Sequence, residues 1–205
     1  MSGGTGDRLV GVKIAFIGTH GVGKTTLCFD LAARLKRRDY SVDLVKEVAR
    51  ECPLPINQET TYDAQAWILH TQIARELEAA SRCEIVICDR SVLDNYAYLV
   101  HKLGRRRELE PLVTWWLRGY TLLVKVPIWR SPRFDGVRDM GEIFQHRIDA
   151  TLDDLIRELG VTVMALEPGR HETWSEAVIE RLELRERARQ ESLFDPPEDG
   201  PENPG

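Results

Sequence analysis

The sequence predicts an α/β fold, a doubly wound, five-stranded parallel sheet flanked by helices. Three observations carry that reading. Short apolar runs of strand length alternate with longer segments whose apolar residues recur every three or four positions. One run, Glu84-Ile85-Val86-Ile87-Cys88, is continuously apolar after its opening charge, as a central parallel strand covered on both faces must be. The first run leads through Gly18-Thr19-His20-Gly21-Val22-Gly23-Lys24-Thr25 into a helical pattern, and this link fits the phosphate-binding pattern G-x-x-x-x-G-K-[ST] at every fixed position.

The elements follow in order. Val12 to Ile17 is a strand ended by Gly18, and Leu27, Leu31 and Leu35, with Ala32 beside them, mark one buried face of the next helix. A turn at Arg38-Asp39-Tyr40 leads to a second strand, Ser41 to Val48. Glu47, Arg50 and Glu51 arrive at its carboxyl end, where open α/β sheets place ligands. Pro53 and Pro55 make Cys52 to Glu59 a loop. From Thr61 the apolar positions Tyr62, Ala66, Leu69, Ile73 and Leu77 predict an amphipathic helix to about Ala80. Gln65 and Gln72 share a neighbouring stripe, expected to meet a polar ligand or to face water.

The Glu84 to Cys88 strand ends in Asp89-Arg90-Ser91. Helices follow from Val92 to Leu103, stopped by Gly104, and from Glu108 to Arg118, stopped by Gly119. Tyr120 to Val126 is the fourth strand. The polar, punctuated stretch from Pro127 to Asp139 carries Arg130, Arg133 and Arg138 and reads as a lid, about residues 129–141. Phe144, Ile148, Leu152, Leu155 and Leu159 mark a helix ended by Gly160, and Val161 to Leu166 is the fifth strand. Thr173-Trp174-Ser175-Glu176 has capping-box spacing and opens a last helix.

One domain, residues 12–188, accounts for these elements. Residues 1–11 are expected to form a flexible arm, and 189–205, rich in Pro, Glu, Asp and Gly, a disordered tail. With 205 residues, 42% of them hydrophobic, the chain can bury one substantial core. A net charge of -5 argues against a general nucleic-acid surface, and Arg105-Arg106-Arg107 reads as a solvated loop. No apolar run is long enough to span a bilayer, and Met1 to Val10 lacks the order of a secretory signal, so no membrane partner and a cytoplasmic location are expected. Cys28, Cys52, Cys83 and Cys88 form no C-x-x-C pair, and three of them fall in elements predicted to be buried. They read as small core residues, not as metal ligands.

The loop after the first strand carries the chemistry. Its backbone, through Gly18, His20, Gly21, Val22 and Gly23, can approach a polyphosphate. Lys24 supplies charge to the β and γ phosphates, the Thr25 hydroxyl can ligate Mg2+, and Thr26 can reach the α phosphate. The plainer alternative is a chance glycine turn, which a random chain of this length matches on the order of once in a hundred times before strand and helix are also required. A nucleoside triphosphate and Mg2+ are therefore the expected ligands. Asp89 closes a buried strand next to the one feeding this loop and suits Mg2+, directly or through water; its alternative role is to cap the next helix. Arg90 beside it favours the functional reading, because adjacent charges at a buried strand end need partners. Arg130, Arg133 and Arg138 could close over the nucleotide and stabilise charge on a transferring phosphoryl group.

Together, the GTHGVGKTT stretch, Glu47-Val48-Ala49-Arg50, Asp89-Arg90-Ser91 and Asp135-Gly136-Val137-Arg138-Asp139 resemble the P-loop nucleoside and nucleotide kinases. These include thymidylate kinases, deoxyribonucleoside kinases and the ribosylnicotinamide kinase domain of the NAD-biosynthesis regulator. The spacing is closer still to an AAA-type ATPase/kinase-like family of that superfamily. The likeness covers roughly Lys13 to Leu182. It implies a P-loop NTPase fold and transfer of the γ phosphate of ATP to a nucleoside, nucleotide or related metabolite. By it, Asp89 and Arg90 match a D/E-R-S motif serving Mg2+ and phosphates, and Glu47 matches the acid that acts as base toward a substrate hydroxyl. Arg50, Gln65 and Gln72 join Glu47 on the acceptor side. The chain departs from the deoxyribonucleoside kinases in having His20 within the loop and Asp where Glu is usual. The competing class is a regulatory NTP switch or binding module. A GTPase is disfavoured by the lack of N-K-x-D, and an oligomeric AAA-type motor ranks last. A nucleotide and a small-molecule acceptor are the expected partners, with a homodimer left open.

Overall fold

The computed structural model describes residues 11–56, 59–129 and 141–184. Its five strands are β1 (Val12–Ile17), β2 (Val42–Val45), β3 (Ile85–Asp89), β4 (Leu122–Lys125) and β5 (Met164–Ala165). They form one parallel sheet in the order β2-β3-β1-β4-β5. Six helices pack on it: α1 (Lys24–Lys36), α2 (Tyr62–Ala80), α3 (Val92–Leu103), α4 (Glu110–Leu117), α5 (Glu142–Glu158) and α6 (Trp174–Arg181).

The alternation of a strand's side chains divides the core into two layers. From β1, Ala15 and Ile17 face one layer with Val86 and Cys88 of β3, covered by Leu69 of α2, Leu93 and Tyr96 of α3, Trp116 of α4 and Leu152 of α5. Ile14 and Phe16 face the other with Ile85 and Ile87, covered by Leu31 and Leu35 of α1 and Val178 of α6. Each of these large apolar side chains contributes about 1.5–3 kcal/mol by burial. Since β1 lies between β3 and β4, later strands are added on its opposite side, and the crevice beyond its carboxyl end is where such sheets bind ligands.

Helix α3 has the expected bounds. Ser91 caps it, and Gly104, at φ 79°, ends it. Its start is a capping box of Ser91 and Asp94. The box expected at Thr173 does not form: the Thr173 hydroxyl bonds Arg170 O, and Glu176 pairs with Arg34 of α1 instead. The second strand stops at Val45, with a 3-10 turn over Val48–Glu51. The fifth is two residues long, an edge strand paired with Val124 and Lys125 of β4. All four cysteines are free; Cys28 and Cys88 are buried, while Cys52 and Cys83 are partly so.

The buried face of α2 differs from the expected one. Tyr62 and Leu77 are exposed, whereas Gln65, Gln72 and Glu76 are buried. The reason is a polar core. Glu76 accepts from Lys13 Nζ at 2.7 Å, Trp116 Nε1 at 2.7 Å, Tyr120 OH at 2.5 Å and Gln72 Nε2 at 2.9 Å. Lys13 Nζ lies over the Trp116 and Tyr120 rings, 4.3 and 4.5 Å from their centroids. A buried charge with this many partners is tolerated. Burial, reinforced by Glu76, pushes the Tyr120 phenol well above its ordinary pKa.

Candidate functional site: the crevice beyond β1 and β3

The loop from Gly18 to Gly23 joins β1 to α1. Gly18 is required at its start: its φ is 143°, and a Cβ there would stand 2.7 Å from Val126 O. Lys24 Nζ curls back over the loop, donating to Gly18 O at 2.8 Å and Thr19 O at 2.5 Å. Burial lowers its pKa to about 8; Arg90 adds repulsion, and Asp94, Asp89 and Glu47 pull the other way. The Thr25 hydroxyl donates to Asp89 Oδ2, bringing the first turn of α1 against the end of β3. Thr26 is exposed beside it, while the Val22 side chain belongs to the core, leaving only its backbone to the loop.

Behind the loop stands a carboxylate that the sequence reading missed. Asp94, 1% exposed, accepts from Gly18 N at 2.9 Å and from Ser91 N at 2.8 Å, so one side chain ties the loop to the start of α3. Burial raises its pKa, against the pull of Arg90, Lys24 and the two amides. Its only sequence signal is the S-x-x-D spacing of the capping box.

On the other side, Arg90 and Glu47 form a buried ion pair, Nε to Oε1 at 2.8 Å, and Arg50 Nε reaches Glu47 Oε2 at 2.9 Å. Arg90 has φ 99°, a left-handed backbone that side chains avoid, costing about 1–3 kcal/mol. Its carbonyl accepts from Gln72 Nε2 at 3.3 Å, and its guanidinium lies over the Tyr98 ring at 4.7 Å. Burial works against the Arg90 charge, but Tyr98, Glu47 and Asp94 outweigh it and hold the pKa well above its ordinary value.

Lys24, Thr25, Asp89, Arg90 and Glu47 are thus brought together, with Arg50 at the rim. Gln65 is buried nearby, its amide donating to Thr60 Oγ1 at 2.8 Å. One expectation is corrected. Gln72 is fully buried with its amide nitrogen given to Glu76 and Arg90 O, so it supports the site from behind and does not line it. The His20 ring packs on Phe144, 5.6 Å between centroids, with Nδ1 3.4 Å from Tyr98 OH. Arg130, Arg133 and Arg138 lie outside the described residues, as do residues 1–10 of the arm and the tail.

With this geometry in place, residues 13–173 match the family model described as an AAA domain. The chain belongs to the AAA-domain family. This AAA-domain chain is 30% identical over 111 residues to a shikimate kinase of Synechococcus sp. (strain JA-3-3Ab), a match covering 53% of this chain and 59% of that protein's length. Among solved structures it is similar to the NadR protein in complex with NR, with TM-score 0.68, 22% identity and coverage of 88% of this chain and 54% of the other. A deoxyadenosine kinase from M. mycoides, solved with products dCMP and a flexible dCDP bound, aligns with TM-score 0.58 and 16% identity over 84% of this chain and 99% of the other. At these identities the two structures speak to the fold. No helix among the described residues is long and apolar enough to cross a membrane.

Proposed function

We propose that this protein is a small-molecule kinase, transferring the γ phosphate of ATP to a nucleoside, nucleotide or related metabolite. The observation that carries the reading is the contact of Thr25 with Asp89 beside Lys24, with the Glu47–Arg90 pair on the acceptor side. In transfer, an acceptor oxygen forms a bond to the γ phosphorus while the bond from phosphorus to the β–γ bridging oxygen breaks, and ADP leaves. The proton of a hydroxyl acceptor passes to Glu47, which must first loosen one of its arginine contacts. Lys24 holds phosphate charge, and Arg90 faces the charge spreading over the transferring group.

The donor set fits Mg2+. Thr25 Oγ1 and Asp89 Oδ2 are hard oxygens already in contact, and among the described residues no cluster of three or more His, Cys, Asp or Glu offers a rival site. Mg2+ is typically held by one or two protein oxygens, with phosphate and water completing the shell. Bound there, it would neutralise charge on the β and γ phosphates.

Incubation with γ-labelled ATP, Mg2+ and a panel of nucleosides, nucleoside monophosphates, nicotinamide riboside and shikimate tests the reading. Label should move to one acceptor and stay with ATP in Lys24→Met. A second reading, an NTPase that acts as a switch, is favoured by one observation. Glu47, Arg50, Arg90 and Gln65 are engaged with protein groups and need displacing before they meet an acceptor. Label appearing only as inorganic phosphate across the panel would favour it.

A further inference from the structure

Two side chains from separate elements hold carbonyls of the phosphate loop. Gln145, in the first turn of α5, donates from Nε2 to His20 O at 2.9 Å, a contact between two buried residues. Trp129, just past β4, donates from Nε1 to Val22 O at 2.8 Å. Both donors are themselves pinned. Phe144, next to Gln145, packs on the His20 ring, and the Trp129 indole is stacked on His171 at 4.3 Å and meets Trp174 edge-on at 6.0 Å.

No peptide bond among the described residues is cis. In a trans peptide the C=O and the following N–H point in opposite directions. Fixing His20 O therefore fixes the Gly21 N–H, and fixing Val22 O fixes the Gly23 N–H, each aimed away from its anchor. Gly21 and Gly23 have φ of 74° and 98°, while Val22 between them keeps an ordinary negative φ. That alternation gathers successive amides into one anion-binding concavity. Among the described residues, neither amide donates to a backbone acceptor.

We infer that Gln145 and Trp129 are positioning residues that set the Gly21 and Gly23 amides for an anionic polyphosphate, so that the cradle is shaped before the ligand arrives. The inference rests on the proposed reading of the loop as a phosphate site. It specifies a one-to-one correspondence: Gln145 acts on Gly21, and Trp129 on Gly23. Without its anchor a peptide is free to turn, and a turned peptide presents a carbonyl oxygen where a phosphate oxygen must sit. A residue that merely satisfied a buried carbonyl would lower stability without singling out one amide.

The test uses Gln145→Met, which keeps length and loses the donor, and Trp129→Phe, which keeps a ring on His171. Two quantities are measured on the full chain: amide NMR signals of Gly21 and Gly23, and calorimetric affinity for inorganic tripolyphosphate and a nonhydrolysable ATP analogue. The expected result is crossed. Gln145→Met shifts or broadens Gly21, and Trp129→Phe does so for Gly23. Each weakens tripolyphosphate about tenfold, the effect of one lost hydrogen bond. Should one variant not fold, the other carries the same paired readout alone. Native affinity in the folded variants, or amide signals that ignore which anchor was removed, would overturn the inference; if Lys24→Met still lost tripolyphosphate, the phosphate-site reading would stand. Failure of the unaltered protein to bind either ligand would sink both.

Discussion

Glu47 and Arg90 meet on one side of the crevice as a buried ion pair, 2.8 Å from Oε1 to Nε, with side chains 6% and 5% exposed. The pair joins the segment after β2 to the end of β3, so two neighbouring strands are tied together at their carboxyl ends. Arg50 holds the second oxygen of the same carboxylate from the rim.

Changing Glu47 should therefore separate chemistry from support. Glu47→Gln keeps the shape and one acceptor oxygen but removes the charge, and turnover should fall at least about tenfold, within the range for losing a general base, while the ATP analogue still binds. Glu47→Ala leaves Arg90 buried without its partner, and the urea midpoint should drop by the equivalent of about 3–5 kcal/mol. Steady-state kinetics and urea titration of both variants check this, and native turnover in Glu47→Gln would remove Glu47 from the chemistry.

Nucleotide binding should depend on pH through Lys24. Its pKa in the free protein is about 8, chiefly from burial, and an adjacent polyphosphate favours the charged form and moves it up again. The complex then holds more protons than the free protein above pH 8, so affinity should decline as pH rises beyond that value. Calorimetry at pH 8.5 in buffers of different ionisation enthalpy should reveal proton uptake. For folding, the sign is that of a depressed pKa. Stability associated with Lys24 is present above the ordinary lysine pKa of 10.5 and is lost as pH falls through about 8.

Gly18→Ala should damage both fold and site. The new Cβ would press on Val126 O and the residue would be held at φ 143°, with a backbone penalty on the order of 1–3 kcal/mol. A lower melting temperature together with loss of ATP-analogue binding is expected. An unchanged melting temperature would mean that the loop relaxes freely.

Glu76→Ala should be more disruptive than its distance from the crevice implies. It strands the half-buried Lys13 and leaves Trp116 Nε1 and Tyr120 OH without their acceptor. A loss of about 3–5 kcal/mol follows, read by urea unfolding. Glu76→Gln, which keeps two hydrogen-bonding atoms in place, should lose less.

Strands and helices whose signals are local were legible in the sequence. The apolar Ile85 to Cys88 run and the Ser91 and Gly104 punctuation of α3 each act through neighbours in the chain. The Thr25–Asp89 meeting was legible too, because the phosphate-loop pattern and a buried strand ending in a carboxylate imply adjacent strands. The inner face of α2 was not. Periodicity counts glutamine and glutamate as outward-facing, and the partners that bury Gln72 and Glu76 stand on β1, just after β3, on α4 and just before β4. Gln145 and Trp129 were hidden for a related reason: they address backbone carbonyls, which every residue has and no pattern marks. Asp94 was not legible because its S-x-x-D spacing marks only a helix cap, while the loop amide it accepts from, Gly18 N, stands 76 residues away.

The cluster around Glu76 also limits how this chain can vary. Lys13, Gln72, Trp116 and Tyr120 all address one carboxylate, so the acceptability of a substitution at any of the five depends on what occupies the other four. A neutral replacement of Glu76 becomes tolerable only after Lys13 has lost its charge, and losing the Lys13 charge is tolerable only once Glu76 is neutral. Single steps in either order pass through a chain with an unmatched interior charge. Related proteins should therefore carry this set whole or lack it whole, with the apolar alternative reached by paired replacement at positions 63 residues apart.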